Sequence, residues 1–336
     1  MNPRERVMAA LDGGAVDRPP IGFWGHFYDR ESSAAALVEA TLEFQSEYGW
    51  DWIKLNPRKH YHVESWGVRY RYSGRPGEKP VLESWPVHDA RDWRGIAEQP
   101  ADRGAFAEQL EAVRTLRRAL PADVPLIETV FTPLAVLGEM TDSPQTLRAH
   151  LDRAPDLVQG ALETVTRTFE RFVPAVLDAG ADGIFFATVD WGTRDWISPE
   201  ELRRWSTPHD LRILRAAARA PFNVLHVCKR NDLLFEFADY PVRAYSWAAT
   251  DPTNPTLSQA LSRLPGAAMG GIDHESALLR DDPAEALGQL ERGYEQTGGR
   301  RWLIAPSCSI HPATPPPNLR ALRDAVESIM SHGRAP

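Results

Sequence analysis

The sequence predicts an α/β fold, a closed (β/α)8 barrel of the TIM type, and three observations carry that expectation. Short apolar stretches alternate with longer amphipathic ones along the chain, which is the βα pattern of a parallel sheet. Eight such stretches fit into 336 residues, the number that closes a barrel rather than two doubly wound halves. No low-complexity or Ser/Gly-rich linker separates them, so residues 1–336 are expected to make one barrel domain.

The chain opens on a short helix, with Asn2 to cap it, Pro3 at the first helical position and Gly13-Gly14 to stop it. The expected strands then run 21–24, 52–56, 126–130, 183–188, 223–227, 244–247, 268–271 and 301–305. Between them, segments such as "SAAALVEATLEFQSEY" and "DLVQGALETVTRTFERFVPAVLDAG" repeat apolar residues at three and four, the period of a helix packed on one side. One stretch departs from the pattern. Residues 61–102, containing "GVRYRYSGRPGEKPVLESWPV", alternate and turn like a β-hairpin inserted outside the barrel.

Composition narrows the function. A net charge of −8 argues against nucleic acid or an anionic membrane as the main partner. No apolar run approaches the ~20 residues of a membrane helix, and the first residues lack a secretory apolar core, so a cytoplasmic protein is expected. Two cysteines are too few for a disulfide framework and would stay as thiols there.

In a barrel of this kind the chemistry sits where strands end at their carboxyl side. "NVLHVCKR" puts His226 and Cys228 at that end of the fifth expected strand, two apart and so facing the same way. The other cysteine, Cys308, lies just past the eighth strand, within reach across the mouth. Two readings stand at this point. A His and two thiolates are donors that suit Zn²⁺ and leave a fourth position open; equally, a buried Cys is often a small apolar residue and a nearby His a hydrogen-bonded core group.

A wider pattern bears on that choice. "RERVMAALDGGAVDRPPIGFW", "LDAGADGIFFATVDWG", "LHVCKR", "MGGIDHESALL" and "PSCSIHPATPPPNLRALRDAV" follow one another over nearly the whole chain. Their order resembles the uroporphyrinogen decarboxylase superfamily, and "LHVC" with a late Cys is similar to its zinc-binding branch, the corrinoid-linked methyltransferases that methylate a thiol such as coenzyme M. The resemblance implies a (β/α)8 barrel, zinc held by His226, Cys228 and Cys308, a small-molecule thiol as substrate, a corrinoid methyl donor and a homodimer. No "DxHxxG" corrinoid-binding stretch occurs, so the donor would come on a separate protein or free. The decarboxylase branch, which acts on carboxylated tetrapyrroles, is the alternative as a lyase of a non-porphyrin acid. Its Arg-rich loop after the first strand is replaced by "WGHFYDR", and Asn56 stands about where its key Asp would lie.

Further residues fall at the expected mouth. Glu128, on the third strand, reads as a displaceable fourth ligand or as a base for a thiol. Asp273, in "GGIDHE", reads as a ligand, an orienting partner of His226, a base, or merely a turn cap. Trp24, His26, Phe27, Phe131, Asp190, Trp191 and Trp247 lie at or beyond strand ends and are expected to line a substrate pocket, the aromatics alternatively plugging the barrel top. His60 and His62, in "RKHYHVE", look like a metal pair without a third ligand and are expected at the surface, and His311 reads as a loop residue.

Overall fold

The computed structural model describes residues 1–332. Its strands are β1 (Ile53–Leu55), β2 (Arg69–Arg71), β3 (Val81–Ser84), β4 (Leu126–Phe131), β5 (Gly183–Ala187), β6 (Val224–Val227), β7 (Ala244–Trp247), β8 (Ala267–Ile272) and β9 (Trp302–Pro306). β1 and β4 to β9 pair in parallel in the order β1-β4-β5-β6-β7-β8-β9. Helices such as Pro155–Asp178, between β4 and β5, cover the outside. The result is a TIM-like α/β barrel, with seven of the eight expected strands found within a residue or two of their expected places.

The remaining stretch, 21–24, closes the ring without becoming a regular strand. Ile304 N donates to Pro20 O (2.8 Å), Gly22 N to Ile304 O (3.1 Å), and on the other side Asp51 N donates to Ile21 O (2.9 Å). Pro19 and Pro20 have no N–H to give, so only isolated bridges form at Ile21 and Gly25. A buried carboxylate anchors this seam. Asp51 accepts from Arg6 Nη1 (2.7 Å), Arg18 Nη1 (2.6 Å) and Ile21 N (2.8 Å).

Strand alternation sorts side chains into two layers. Trp52, Ile127, Phe185, Val224, Ala244, Met269, Leu303 and Ala305 fill the barrel, and Val7, Ala10 and Leu11 of helix Pro3–Leu11 pack against them. That helix starts as expected, with Asn2 Oδ1 accepting from Glu5 N and Glu5 returning the bond. The alternate residues, among them Leu55, Val130, Ile184, Phe186, Leu225, Tyr245, Trp247 and Ile304, face the helices. The excursion after β1 holds the expected hairpin, β2 antiparallel to β3 with a register shift at Arg69/Tyr70. Residues 61–64 within it form a helical turn rather than a strand.

Candidate metal centre

The three donors foreseen from the sequence converge. His226 lies on the inner face of β6, Cys228 just beyond that strand, and Cys308 two residues after β9; one ligand atom from each lies within 4.8 Å of the others. β6 and β9 are separated by two strands, so only the curvature of the sheet brings their ends together. The arriving loop is pinned on both sides of Cys308. Ser307 N donates to Ile272 O (2.8 Å) and Ile310 N to Trp24 O (2.8 Å).

The imidazole is oriented by its neighbour strand. Ser246, paired with His226 in the β6–β7 register, places its Oγ 3.0 Å from Nδ1. The other nitrogen, Nε2, is buried with no hydrogen-bond partner, an orphaned donor atom beside two sulfurs. This set fits zinc: one imidazole and two thiols are borderline-soft ligands, and three of them leave a tetrahedral position free. Interaction with Cys228 and the charge of His226, against burial, draw the Cys308 thiol well below its ordinary range, while the interaction with Cys308 and burial push Cys228 up.

The flanking backbone is strained. Val189, after β5, and Lys229, directly after Cys228, have φ of 51° and 70°, in the left-handed region that a β-branched residue rarely enters. Lys229 Nζ pairs with Asp190, tying the two loops together. Asp190 is thus held beside the loop that follows Cys228.

Other expected residues divide. Trp24 faces the barrel interior edge-on to Phe185, ring centroids 5.3 Å apart. His26 binds Glu31 Oε2 through Nδ1 (2.9 Å) and stacks on Tyr28. Phe131, the last residue of β4, stacks on His62 at 3.7 Å. Trp191 lines a side cavity of about 160 Å³ with Tyr70 and Glu139, entering it because Gly138 has no side chain; a Cβ there would lie 2.4 Å from the indole Nε1.

Several expectations are corrected. Glu128 shares the outward face of β4 with Leu126 and Val130 and accepts from Gln109 Nε2 (3.3 Å) on helix Gly104–Ala119. Burial drives its carboxyl well above the usual range; it does not join the three donors. Trp247 also points outward, its indole donating to Pro255 O (2.7 Å), and Phe27 packs on Phe44 in the helix layer. Asp273 takes the turn-capping reading, accepting from Glu275 N (2.8 Å), Ser276 Oγ and Ala277 N (3.4 Å). His60 and His62 are buried, not at the surface: Nδ1 of His60 and Nε2 of His62 each lie 3.0 Å from Glu139 Oε2. His311 is a loop residue, its Nδ1 accepting from Ala313 N.

One residue was overlooked. Lys54 stands on the inner face of β1 between Trp52 and Asn56, and burial lowers its ammonium to about 8 against the opposing pull of Cys308, Glu128 and Cys228. The signal was present in "DWIKLN", where the alternation that buries Trp52 also turns Lys54 inward.

The model of the uroporphyrinogen decarboxylase (URO-D) family matches residues 2–329. The chain belongs to that family. Among its relatives, the methylcobamide:CoM methyltransferase MtaA of Methanosarcina barkeri is 23% identical over 342 residues, covering 95% of this chain and 96% of the relative. A uroporphyrinogen decarboxylase of Syntrophotalea carbinolica is 26% identical over 304 residues, 87% of this chain and 83% of the relative. A solved methyltransferase from Methanosarcina mazei superposes with a TM-score of 0.83 at 21% identity, covering 97% of this chain and 99% of that one. URO-D family relatives thus include both methyltransferases and decarboxylases, and the chain is an enzyme of that family. In the loop after the closing stretch, Arg30 is the one arginine and binds Glu43 at 2.7 Å. No helix among the described residues is long and apolar enough to cross a membrane.

Proposed function

We propose that the protein is a zinc-dependent methyltransferase that activates a small-molecule thiol and exchanges a methyl group with a corrinoid carried on a separate protein. The observation that carries this reading is the donor set itself: one orphaned imidazole nitrogen and two thiols within 4.8 Å, at the mouth where barrel enzymes work. The methyltransferase relative named for a methylcobamide and CoM supports the choice of reactants. His226, Cys228 and Cys308 would hold a zinc ion, which when bound would lower the proton affinity of a substrate thiol toward neutral pH.

The chain's own residues prepare that place. Ser246 fixes the ring of His226, the Ser307 and Ile310 backbone bonds fix Cys308, and Trp24 packs edge-on against Phe185 in the barrel interior. In the transfer, the substrate sulfur gives its lone pair to the methyl carbon, the carbon–donor bond breaks with its electron pair left on the donor, and the thiol proton passes to solvent. The reverse run is demethylation.

The test is metal analysis joined to a thiol titration on protein purified under reducing conditions. About one zinc per chain, and a thiol that binds only to the zinc-loaded protein, are expected. Metal-free protein that still converts its substrate, or that releases carbon dioxide from an acid, would overturn the proposal.

A further inference from the structure

We propose that Lys54 is the counter-charge of this centre, a positioning residue whose ammonium offsets the negative charge added when a third sulfur anion joins Cys228 and Cys308. The inference rests on the zinc-thiol reading above and extends it to a residue that the donor set does not include.

A buried lysine needs a reason, because an ammonium taken out of water is costly unless it is paired. Lys54 Nζ donates to Asn56 Oδ1, a neutral acceptor, and among the described residues it forms no ion pair. It rests 4.8 Å from the Phe185 ring centroid and 5.6 Å from that of Trp24. Those contacts leave part of its three-donor capacity unspent. The Nδ2 of Asn56 beside it is also buried without a partner.

Both of its neighbours lead to the centre. Phe185 lies 4.8 Å, centroid to centroid, from the ring of His226. Asn56 Oδ1 accepts from the hydroxyl of Ser309, the residue after Cys308, at 3.4 Å. Burial lowers the Lys54 ammonium, and the acidic groups that oppose this are Cys308 first, then Glu128, Cys228 and Glu31. Glu31 is already engaged, by His26 Nδ1 and Lys59 N. Glu128 faces the helix layer, and burial favours its neutral form. The two sulfurs remain.

Charge counting then assigns the role. A divalent zinc with two thiolates and a neutral imidazole is neutral, so one more sulfur anion leaves a net charge of −1 in a low-dielectric barrel. A cation on the same inner face cancels it, and unlike charges attract far more strongly there than in water.

The experiment uses the zinc-loaded full chain and 2-mercaptoethanol, a thiol with no acidic tail, so that recognition of a second anionic group cannot contribute. Thiol binding is measured by calorimetry against pH, with zinc content recorded for each protein. Lys54→Met and Lys54→Gln should retain zinc and move the binding midpoint upward by about one pH unit, roughly tenfold weaker at neutral pH; Lys54→Arg should restore most of it. Unchanged midpoints in folded, zinc-loaded Lys54→Met or Lys54→Gln would overturn the counter-charge role and leave the zinc-thiol reading intact. Wild-type protein that holds zinc but binds no thiol would overturn both.

Discussion

His226-x-Cys228 and His60-x-His62 have the same spacing and lie at the same end of the barrel, yet the fold uses them differently. The first pair leads off the end of β6, so its members share a face, and Cys308 completes a set with no carboxylate among its members. The second is carried by the helical turn 61–64 and the residue before it, where residues two apart diverge. A single carboxylate oxygen of Glu139 lies between them, 3.0 Å from each ring. Stacking fills the rest: His60 lies 3.4 Å from the Tyr70 ring and His62 3.7 Å from Phe131. Both motifs keep ring nitrogens without a hydrogen-bond partner, but the first sets its nitrogen beside two sulfurs, whereas the second closes its rings around a half-buried carboxylate and stacked aromatic rings. Spacing acquires chemical meaning only with the backbone under it and the group that fills the partner position.

The largest expected effect separates the two clusters outright. Cys308→Ala should lower zinc content from about one per chain to near none, with methyl transfer lost; retention of stoichiometric zinc would put the metal elsewhere and break the comparison. Next is the orienting hydroxyl. Ser246→Ala should weaken zinc binding roughly 10- to 100-fold, as loss of a partner that fixes a ligating imidazole does, read by competition with a chelator.

On the other side of the comparison, Glu139→Gln should destabilise the fold by about 1–3 kcal/mol, the cost of leaving buried polar groups poorly paired, while zinc content stays the same. Chemical denaturation and metal analysis on one sample read both. A loss of zinc there would mean that the clusters are not independent.

The smallest effect is one of pH. Burial brings the His60 imidazole from 6.5 down to about 4, against the pull of Glu139. The unfolded chain therefore takes up its proton first as the solution is acidified. The stability that His60 contributes is complete above about pH 6.5 and is lost as pH falls through about 4. Although burial opposes it, the two imidazoles hold the Glu139 carboxyl well below its usual range, so its own contribution is present above about pH 4.5 and fades below that. Denaturation midpoints of wild type and His60→Asn, compared between pH 7 and 4, should converge toward the acid end. Parallel curves would sink this assignment.

Much of this was legible beforehand, for reasons that differ by residue. β4 to β9 could be read because each is a short apolar run between turn signals. His226 and Cys228 could be read because two residues apart on a strand is one face. Glu128 and Trp247 were misplaced because "at the end of a strand" says nothing about which face, and the alternation of Leu126, Glu128 and Val130, or of Tyr245 and Trp247, had to be carried through to the helix layer. The same arithmetic, applied to Trp52 and Lys54, would have found the buried cation. Asp273 lay among four readings, ligand, orienting partner, base and turn cap, and the turn at Glu275–Ala277 claimed its oxygens.

Local pattern, then, dictates the strands and their inward and outward faces, because periodicity is a property of neighbouring residues. Which distant groups meet was decided only by closure of the barrel. The curvature of the sheet draws Cys308 to His226, a proline-rich seam at 19–25 replaces a regular strand, and Glu139 reaches back to His60 and His62 across the inserted hairpin. Contacts between residues far apart in sequence depend on the summed geometry of everything between them, and no window along the chain contains that sum.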